Sequence, residues 1–293
     1  MQNINAEFDY SAASLATLAQ ADVQRALEED LGAGDLTAGL VDPERRSHAR
    51  VLAREAAVIC GQPWVEATLQ RLDPQAELVW HVGDGQRCNA DQVILEIKGR
   101  SRALLSAERT LLNFLQLLSA VATKTAAYVQ AVQAVPGNRA SIVDTRKTLP
   151  GLRLAQKYAV RRGGGSNHRI GLYDAVLIKE NHIAAAGGVT AVLQRAAEVA
   201  ARASFVEIEV ETLAQLEEAL AAGAQMILLD NMDLAQLRDA VRITAGRAIL
   251  EVSGGVGLDT VAGFAATGVD RISIGALTKD IQAVDFSMRF APL

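Results

Sequence analysis

A chain of 293 residues, 50% hydrophobic with a formal charge of -5, has material for one large core or for a large and a small domain, which excludes a disordered polymer. Only 4% of its residues are aromatic, and an acidic chain without stacking side chains is a poor partner for DNA or RNA. No apolar run reaches the roughly 18 residues of a membrane span and the opening MQNINAEFDYS holds no basic or apolar targeting segment, so a cytoplasmic protein is expected.

In chain order, SAASLATLAQADVQRALEEDLG (11–32) has helical apolar spacing and stops at Gly32. HARVLARE, AAVICG, AELVWHV and QVILEIKG then read as short strands parted by Gly, Asp and Pro turns. Cys60 and Cys88 lie far apart, in no C-x-x-C arrangement, and read as ordinary thiols. A long helix is expected over about 102–134, ended by Pro136-Gly137. Beyond it come six apolar runs, at 141–145, 174–180, 205–211, 225–231, 248–254 and 271–277, with alanine-rich amphipathic segments such as VTAVLQRAAEVAARA, TLAQLEEALAAG and LDTVAGFAATG among them. Strand starts about 20–35 residues apart are the spacing of strand-helix repeats, so a parallel α/β barrel or open sheet is expected.

Each run ends on a polar or glycine position: Arg146 and Lys147, Lys179, Glu209, Asp230, Ser253-Gly254-Gly255 and Gly275-Ala276. In an α/β barrel those C-terminal ends share the face where catalytic groups sit. Charge is concentrated there too: residues 139–182 hold nine Lys/Arg against three acids, a local +6, leaving -11 elsewhere. That pattern suits a small, multiply charged anion in a pocket.

The arginine fork of Arg146 fits a carboxylate or phosphate, Lys147 supplies a point charge, and Asp144 is a candidate to orient one of them; the plain alternative is an exposed salt bridge. In RRGGGSNHRIGLYDAVLIKENH, Gly163 to Gly165 disfavour a helix, and a loop carrying Arg161 and Arg162 close to a ligand is expected, with His168 and Arg169 as contacts. His182 admits either a contact or a structural role, whereas His48 and His81 read as structural. Glu209 and Asp230 are the carboxylates that a phosphate-bound magnesium ion would use, unless Glu209 is a structural partner of Lys179. The glycine turns VSGGVG and SIGALT, after the last two strands, present N-H groups suited to a phosphate.

Taken together, EDLGAGDLT, SRALLSAERTLLNFLQLLSAVAT, DTRKTLPGLR, GGGSNHRIGLYDAVLIKENH, EIEVE, LLDNM, SGGV and ISIGALT resemble the quinolinate phosphoribosyltransferase family over nearly the whole chain. The resemblance implies an N-terminal α/β sandwich domain (1–116, joined by the C-terminal tail 281–293) and an open, incomplete α/β barrel of about six parallel strands (117–280). It implies transfer of phosphoribosyl from phosphoribosyl pyrophosphate to quinolinate with decarboxylation, magnesium as cofactor, and a homodimer in which Arg109 reaches the neighbouring active site. Arg109, Arg146, His168, Arg169 and Lys179 would hold the quinolinate carboxylates, with Thr145 beside them as a substrate contact. Lys147, Glu209 and Asp230 would serve the ribose, pyrophosphate and magnesium, and Ser253, Gly254, Gly255, Ile274, Gly275 and Ala276 the 5-phosphate. Lys279, where the family often has histidine, is the one departure. The alternatives are a Schiff-base lyase using Lys179, or a diverged homologue binding another anion.

Overall fold

The computed structural model describes residues 8–291; residues 1–7 and 292–293, which the expected domains include, lie outside these. In chain order the elements are α1 (Ala12–Leu31), β1 (Arg46–Ala53), β2 (Ala57–Val58), α2 (Gln62–Leu72), β3 (Glu77–Trp80), β4 (Arg87–Cys88), β5 (Val93–Arg100) and α3 (Ser101–Gln133). There follow β6 (Ser141–Val143), α4 (Arg153–Arg162), β7 (Val176–Ile178), α5 (Glu180–Ala186), α6 (Val189–Ala200), β8 (Val206–Val210), α7 (Leu213–Ala221) and β9 (Met226–Asp230). The chain closes with α8 (Leu234–Thr244), β10 (Ile249–Ser253), α9 (Val261–Ala265), β11 (Arg271–Ser273), α10 (Ala276–Lys279) and β12 (Phe286–Ala291). All six expected strands of the second half are present, while α2 and β4 are additions to the elements read from sequence. Two compact units divide the chain: one takes Asp9–Lys124, Pro150–Gly164 and the stretch from Asp280 onward, the other Thr125–Leu149 and Gly165–Lys279.

In the first unit, α1 starts where the Ser11 hydroxyl accepts from the Ser14 N-H, and it ends at Gly32, whose φ of 49° suits a residue without Cβ. Its buried Asp22 accepts from the indole N-H of Trp64 on α2 at 2.9 Å. An antiparallel sheet of order β12-β1-β5-β3 brings the C-terminal strand against β1, Met288 opposite Val51. Burial alternates along β1 as a half-buried strand requires, and its inward side joins Ile97, Leu104, Leu111 and Leu115 in an apolar core. Each such side chain contributes about 1.5–3 kcal/mol on burial.

α4 belongs to this unit. Its Tyr158 donates to Asp84 Oδ2 at 2.8 Å and packs its ring 5.7 Å from that of Trp64. The expected ligand loop at Arg161 and Arg162 is therefore corrected: both are in the last helical turn, with Arg161 over the Tyr10 ring and Arg162 over the Tyr158 ring, each at 4.8 Å. The glycines begin only after the helix, so the two guanidinium groups stay on aromatic faces as cation-π partners.

The second unit is a six-stranded sheet of order β6-β11-β10-β9-β8-β7, parallel throughout. β6 and β7 stand at its two edges, so the barrel is open. Ile208, Ile227, Leu229, Val252 and Ile272, on one face, are fully buried, as expected where helices cover a parallel sheet. The alternate positions form the other, interior face. Ala175, Phe205, Met226 and Ile249 make its lowest, apolar layer. Register places Glu207 beside Leu177, and Glu209, Leu228, Glu251 and Arg271 side by side. The inward positions nearest the strand ends are Lys179, Glu209, Asp230, Ser253 and Ser273.

Candidate active site

The strand ends gather the charges. Lys179, directly after β7, places Nζ 2.8 Å from Glu209 Oε2 on β8, with the lysine side chain 45% exposed and the glutamate 10%. The partnership weighed from sequence thus exists, and it lies at the mouth of the barrel. Asp230, at the end of β9, accepts from the Asn231 amide at 2.8 Å. Burial pushes its carboxyl above the usual range, and the neighbouring lysines, Lys179 foremost and then Lys147, pull against that shift. After β6, the Thr145 hydroxyl accepts from the Lys147 N-H at 3.0 Å, and the Thr278 hydroxyl donates to the Lys147 carbonyl at 2.8 Å.

Arg169 is 8% exposed. Burial lowers its hold on its proton, and the nearby positive charge of Arg146 lowers it further. A buried guanidinium with a second positive charge near it favours an anion there. Asp144 is buried and serves the loop beneath them: Asn167 donates to its Oδ2 at 2.6 Å and the His168 N-H to its Oδ1 at 2.9 Å.

His168 departs from expectation. It is 5% exposed, its Nε2 meets Glu207 Oε2 at 2.8 Å, and its Nδ1 accepts the Arg169 N-H at 2.8 Å. With both ring nitrogens engaged inside the protein, His168 stands behind Arg169 in place of the direct contact expected from sequence. With Nδ1 taking the Arg169 N-H, Nε2 is the ring's donor toward Glu207. Glu251 lies 3.5 Å from the same Nε2 and is bound at 2.7 Å by Arg271 Nε. Burial and the Glu251 charge push the Glu207 carboxyl up, whereas His168 and Arg271 outweigh burial at Glu251 and hold it below the usual range. Sequence reading missed Glu207, Glu251 and Arg271; the available signal was a charge alternating with Val and Ile inside strands otherwise apolar.

His182 is a helix cap, its Nδ1 accepting the Lys179 N-H at 3.0 Å. Arg109 is exposed on α3, in the first unit. After β10, Gly254 has φ 102°, and a Cβ there would collide with the Asn231 side chain. At Gly275 a Cβ would lie 2.9 Å from Lys147 Cδ, so that glycine admits the lysine stem beside the backbone. The helices that follow, α9 and α10, are five and four residues long, so the turn amides outweigh any helix dipole as phosphate donors.

Glu209 and Asp230, on neighbouring strands, suit an ion that takes one or two carboxylates and fills its shell with water and phosphate oxygens, as magnesium does. Among the described residues the one tight group of three metal-type donors is His168, Glu207 and Glu251; with Arg271 already bound to Glu251 it is an ion-pair cluster. A cavity of about 930 Å³ opens at the opposite ends of the strands, lined by Phe205, Met226, Ile249 and Arg271, away from the strand-end charges. No helix among the described residues is long and apolar enough to cross a membrane.

Comparison with known proteins matches residues 35–119 to the family model for the N-terminal domain of quinolinate phosphoribosyl transferase and residues 121–289 to the model for its C-terminal domain. The chain is 43% identical over 276 residues to a nicotinate-nucleotide pyrophosphorylase (carboxylating) of Mycobacterium leprae, covering 91% of this chain and 95% of that protein. It is 38% identical over 287 residues to a quinolinate phosphoribosyltransferase (decarboxylating) of Nicotiana tabacum, covering 91% and 81%. Among solved structures, the nicotinate-nucleotide pyrophosphorylase from Francisella tularensis superposes with a TM-score of 0.90 at 42% identity, over 94% of this chain and 97% of that one.

Proposed function

We propose, for a chain that belongs to the quinolinate phosphoribosyltransferase family, that it transfers the phosphoribosyl group of phosphoribosyl pyrophosphate to quinolinate, giving nicotinate mononucleotide, pyrophosphate and carbon dioxide. The observation that carries this function is the gathering of Lys179, Glu209 and Asp230 at neighbouring strand ends, with Lys179 Nζ 2.8 Å from Glu209, in a half whose basic residues 139–182 include Arg146 and Arg169. A ring with two adjacent carboxylates offers those cations two anionic partners. Arg146, Arg169 and Lys179 clamp the carboxylates, Thr145 contacts the substrate, and His168 acts through Arg169. The reading includes a cytoplasmic homodimer in which the partner's copy of the exposed Arg109 completes the clamp.

The chemistry is positioning plus electrostatics. The pyridine nitrogen forms a bond to the ribosyl carbon as the bond from that carbon to pyrophosphate breaks. Lys147 faces the charge that develops on the leaving group. Ser253, Gly254 and Gly255 with Ile274, Gly275 and Ala276 present backbone donors to the 5-phosphate. Glu209 and Asp230 would hold magnesium, which supplies charge neutralisation for pyrophosphate. Once the nitrogen carries the ribosyl group the ring is cationic, and it accepts the electron pair of the bond to the departing 2-carboxylate; a proton then fills that carbon. The Lys179 ammonium, partly exposed and paired with Glu209, is that of a clamp, unlike the desolvated amine of a Schiff-base lyase.

The test is turnover of the purified protein with quinolinate and phosphoribosyl pyrophosphate, with magnesium or with chelator, and with nicotinate as the control acceptor. Magnesium-dependent nicotinate mononucleotide and carbon dioxide from quinolinate alone are expected. Carbon dioxide released without phosphoribosyl pyrophosphate would refute the order of steps, and no turnover by folded protein would favour a diverged homologue binding another anion.

A further inference from the structure

Inside the barrel, two residues before Glu209, Ser253 and Ser273 on their strands, lies a second charged group that the reaction itself does not use. Glu207 and Glu251 are fully buried and Arg271 is 5% exposed. Glu207 Oε1, Glu251 Oε1 and Arg271 Nη2 are buried without a hydrogen bond. Such a cluster is a poor way to stabilise a barrel, because desolvating the charges offsets much of their attraction and apolar side chains of similar volume commonly do as well. The same strands already have an apolar outer face and an apolar lowest layer.

What the cluster does hold is the ring of His168. Its Nε2 lies 2.8 Å from Glu207 and 3.5 Å from Glu251, Arg271 fixes Glu251 at 2.7 Å, and Phe205 meets the ring edge-on with centroids 5.2 Å apart. The fixed ring in turn accepts the Arg169 N-H, one residue after the Asp144 carboxylate has accepted the His168 N-H. The consecutive backbone amides of His168 and Arg169 are therefore tied to rigid acceptors at the point from which the Arg169 side chain leaves the chain.

We infer that Glu207, Glu251 and Arg271 are positioning residues for the carboxylate clamp, holding His168 so that Arg169 stands ready for the dicarboxylate substrate. The inference rests on the proposed reaction and extends it to residues that touch no substrate. Its signature is selective: the affinity for the dicarboxylate depends on the cluster, and the affinity for phosphoribosyl pyrophosphate does not.

The experiment compares Glu207→Leu, which removes the acceptor for Nε2-H, with Glu207→Gln, which keeps one, measuring KM for each substrate, kcat and Tm. Glu207→Leu is expected to raise the KM for quinolinate about tenfold or more, with the KM for phosphoribosyl pyrophosphate within about twofold, and Glu207→Gln to recover to within about threefold of the unaltered enzyme. Glu251→Gln, which loosens Arg271, is the second variant should the leucine protein not fold, and it is expected to raise the quinolinate KM selectively as well. Equal rises in both KM values, an unchanged quinolinate KM, or a glutamine variant no better than leucine would each overturn the inference. Failure of the unaltered enzyme to use quinolinate would instead remove the reaction on which the inference stands, so the two failures are told apart.

Discussion

The two units solve the problem of an interior in opposite ways. In the first, Val51, Ile97, Leu104, Leu111 and Leu115 fill the core without a charge among them. In the second, the inner face of the parallel sheet has a single apolar layer, and above it carboxylates, a histidine and an arginine. An apolar core tolerates changes that preserve volume, because its contribution is area removed from water. A buried charge cluster depends on geometry, since each partner removed strands another in a medium that solvates it poorly. Stability is therefore concentrated in the first kind of interior and function in the second, and substitutions should separate the two.

The largest separation is expected at Arg146. Arg146→Ala should weaken quinolinate binding by roughly 2–5 kcal/mol, because it takes one cation from a desolvated pair, while stability changes by no more than about 1 kcal/mol. Equilibrium titration and chemical denaturation of the same variant read both quantities, and unchanged affinity would take Arg146 out of the site. Leu104→Ala is the mirror image. Leu104 is fully buried, so the loss should be about 2–5 kcal/mol of stability, with the quinolinate KM unaltered; a KM that moved with it would erase the distinction.

A smaller effect is expected at Asp73, whose buried carboxylate accepts the Arg100 N-H at 2.7 Å and Arg100 Nε at 3.2 Å. Burial raises its pKa, but these bonds and the Arg100 charge prevail and hold it below the usual range. A depressed folded-state pKa means that the stabilisation is complete above the unfolded value of about 3.9 and is lost as pH falls through the folded one. Asp73→Asn should cost about 1.5–3 kcal/mol at neutral pH, where a charged acceptor is lost, and the deficit should shrink in acid. Denaturation curves at pH 7 and pH 3 check the sign. The smallest change in stability belongs to Glu209→Gln. Its partner Lys179 is 45% exposed, so the pair is worth under about 1 kcal/mol to folding, even though turnover should fall sharply.

The sequence showed the barrel more clearly than it showed the site's support. Strands covered on both faces read as apolar runs, which is why all six were legible. The strand-end residues Lys179, Glu209 and Asp230 followed from the rule that barrel chemistry gathers at C-terminal ends. Arg161 and Arg162 looked like ligand groups because they abut three glycines; their actual partners, Tyr10 and Tyr158, include one some 150 residues distant in sequence, which no local pattern reveals. His168 was legible as important but not in its role, because which nitrogen faces which carboxylate is set by strands 39 and 83 positions further along, at Glu207 and Glu251.

Calorimetric titration of the folded protein with quinolinate and, separately, with nicotinate tests most directly the claim that this barrel is a dicarboxylate clamp. The site described here predicts that quinolinate binds and that nicotinate, one carboxylate short, binds at least about a hundredfold more weakly, the scale expected when a buried cation loses its partner. Equal affinity for the two acids would contradict it, since the paired cations would then not be reading the second carboxylate.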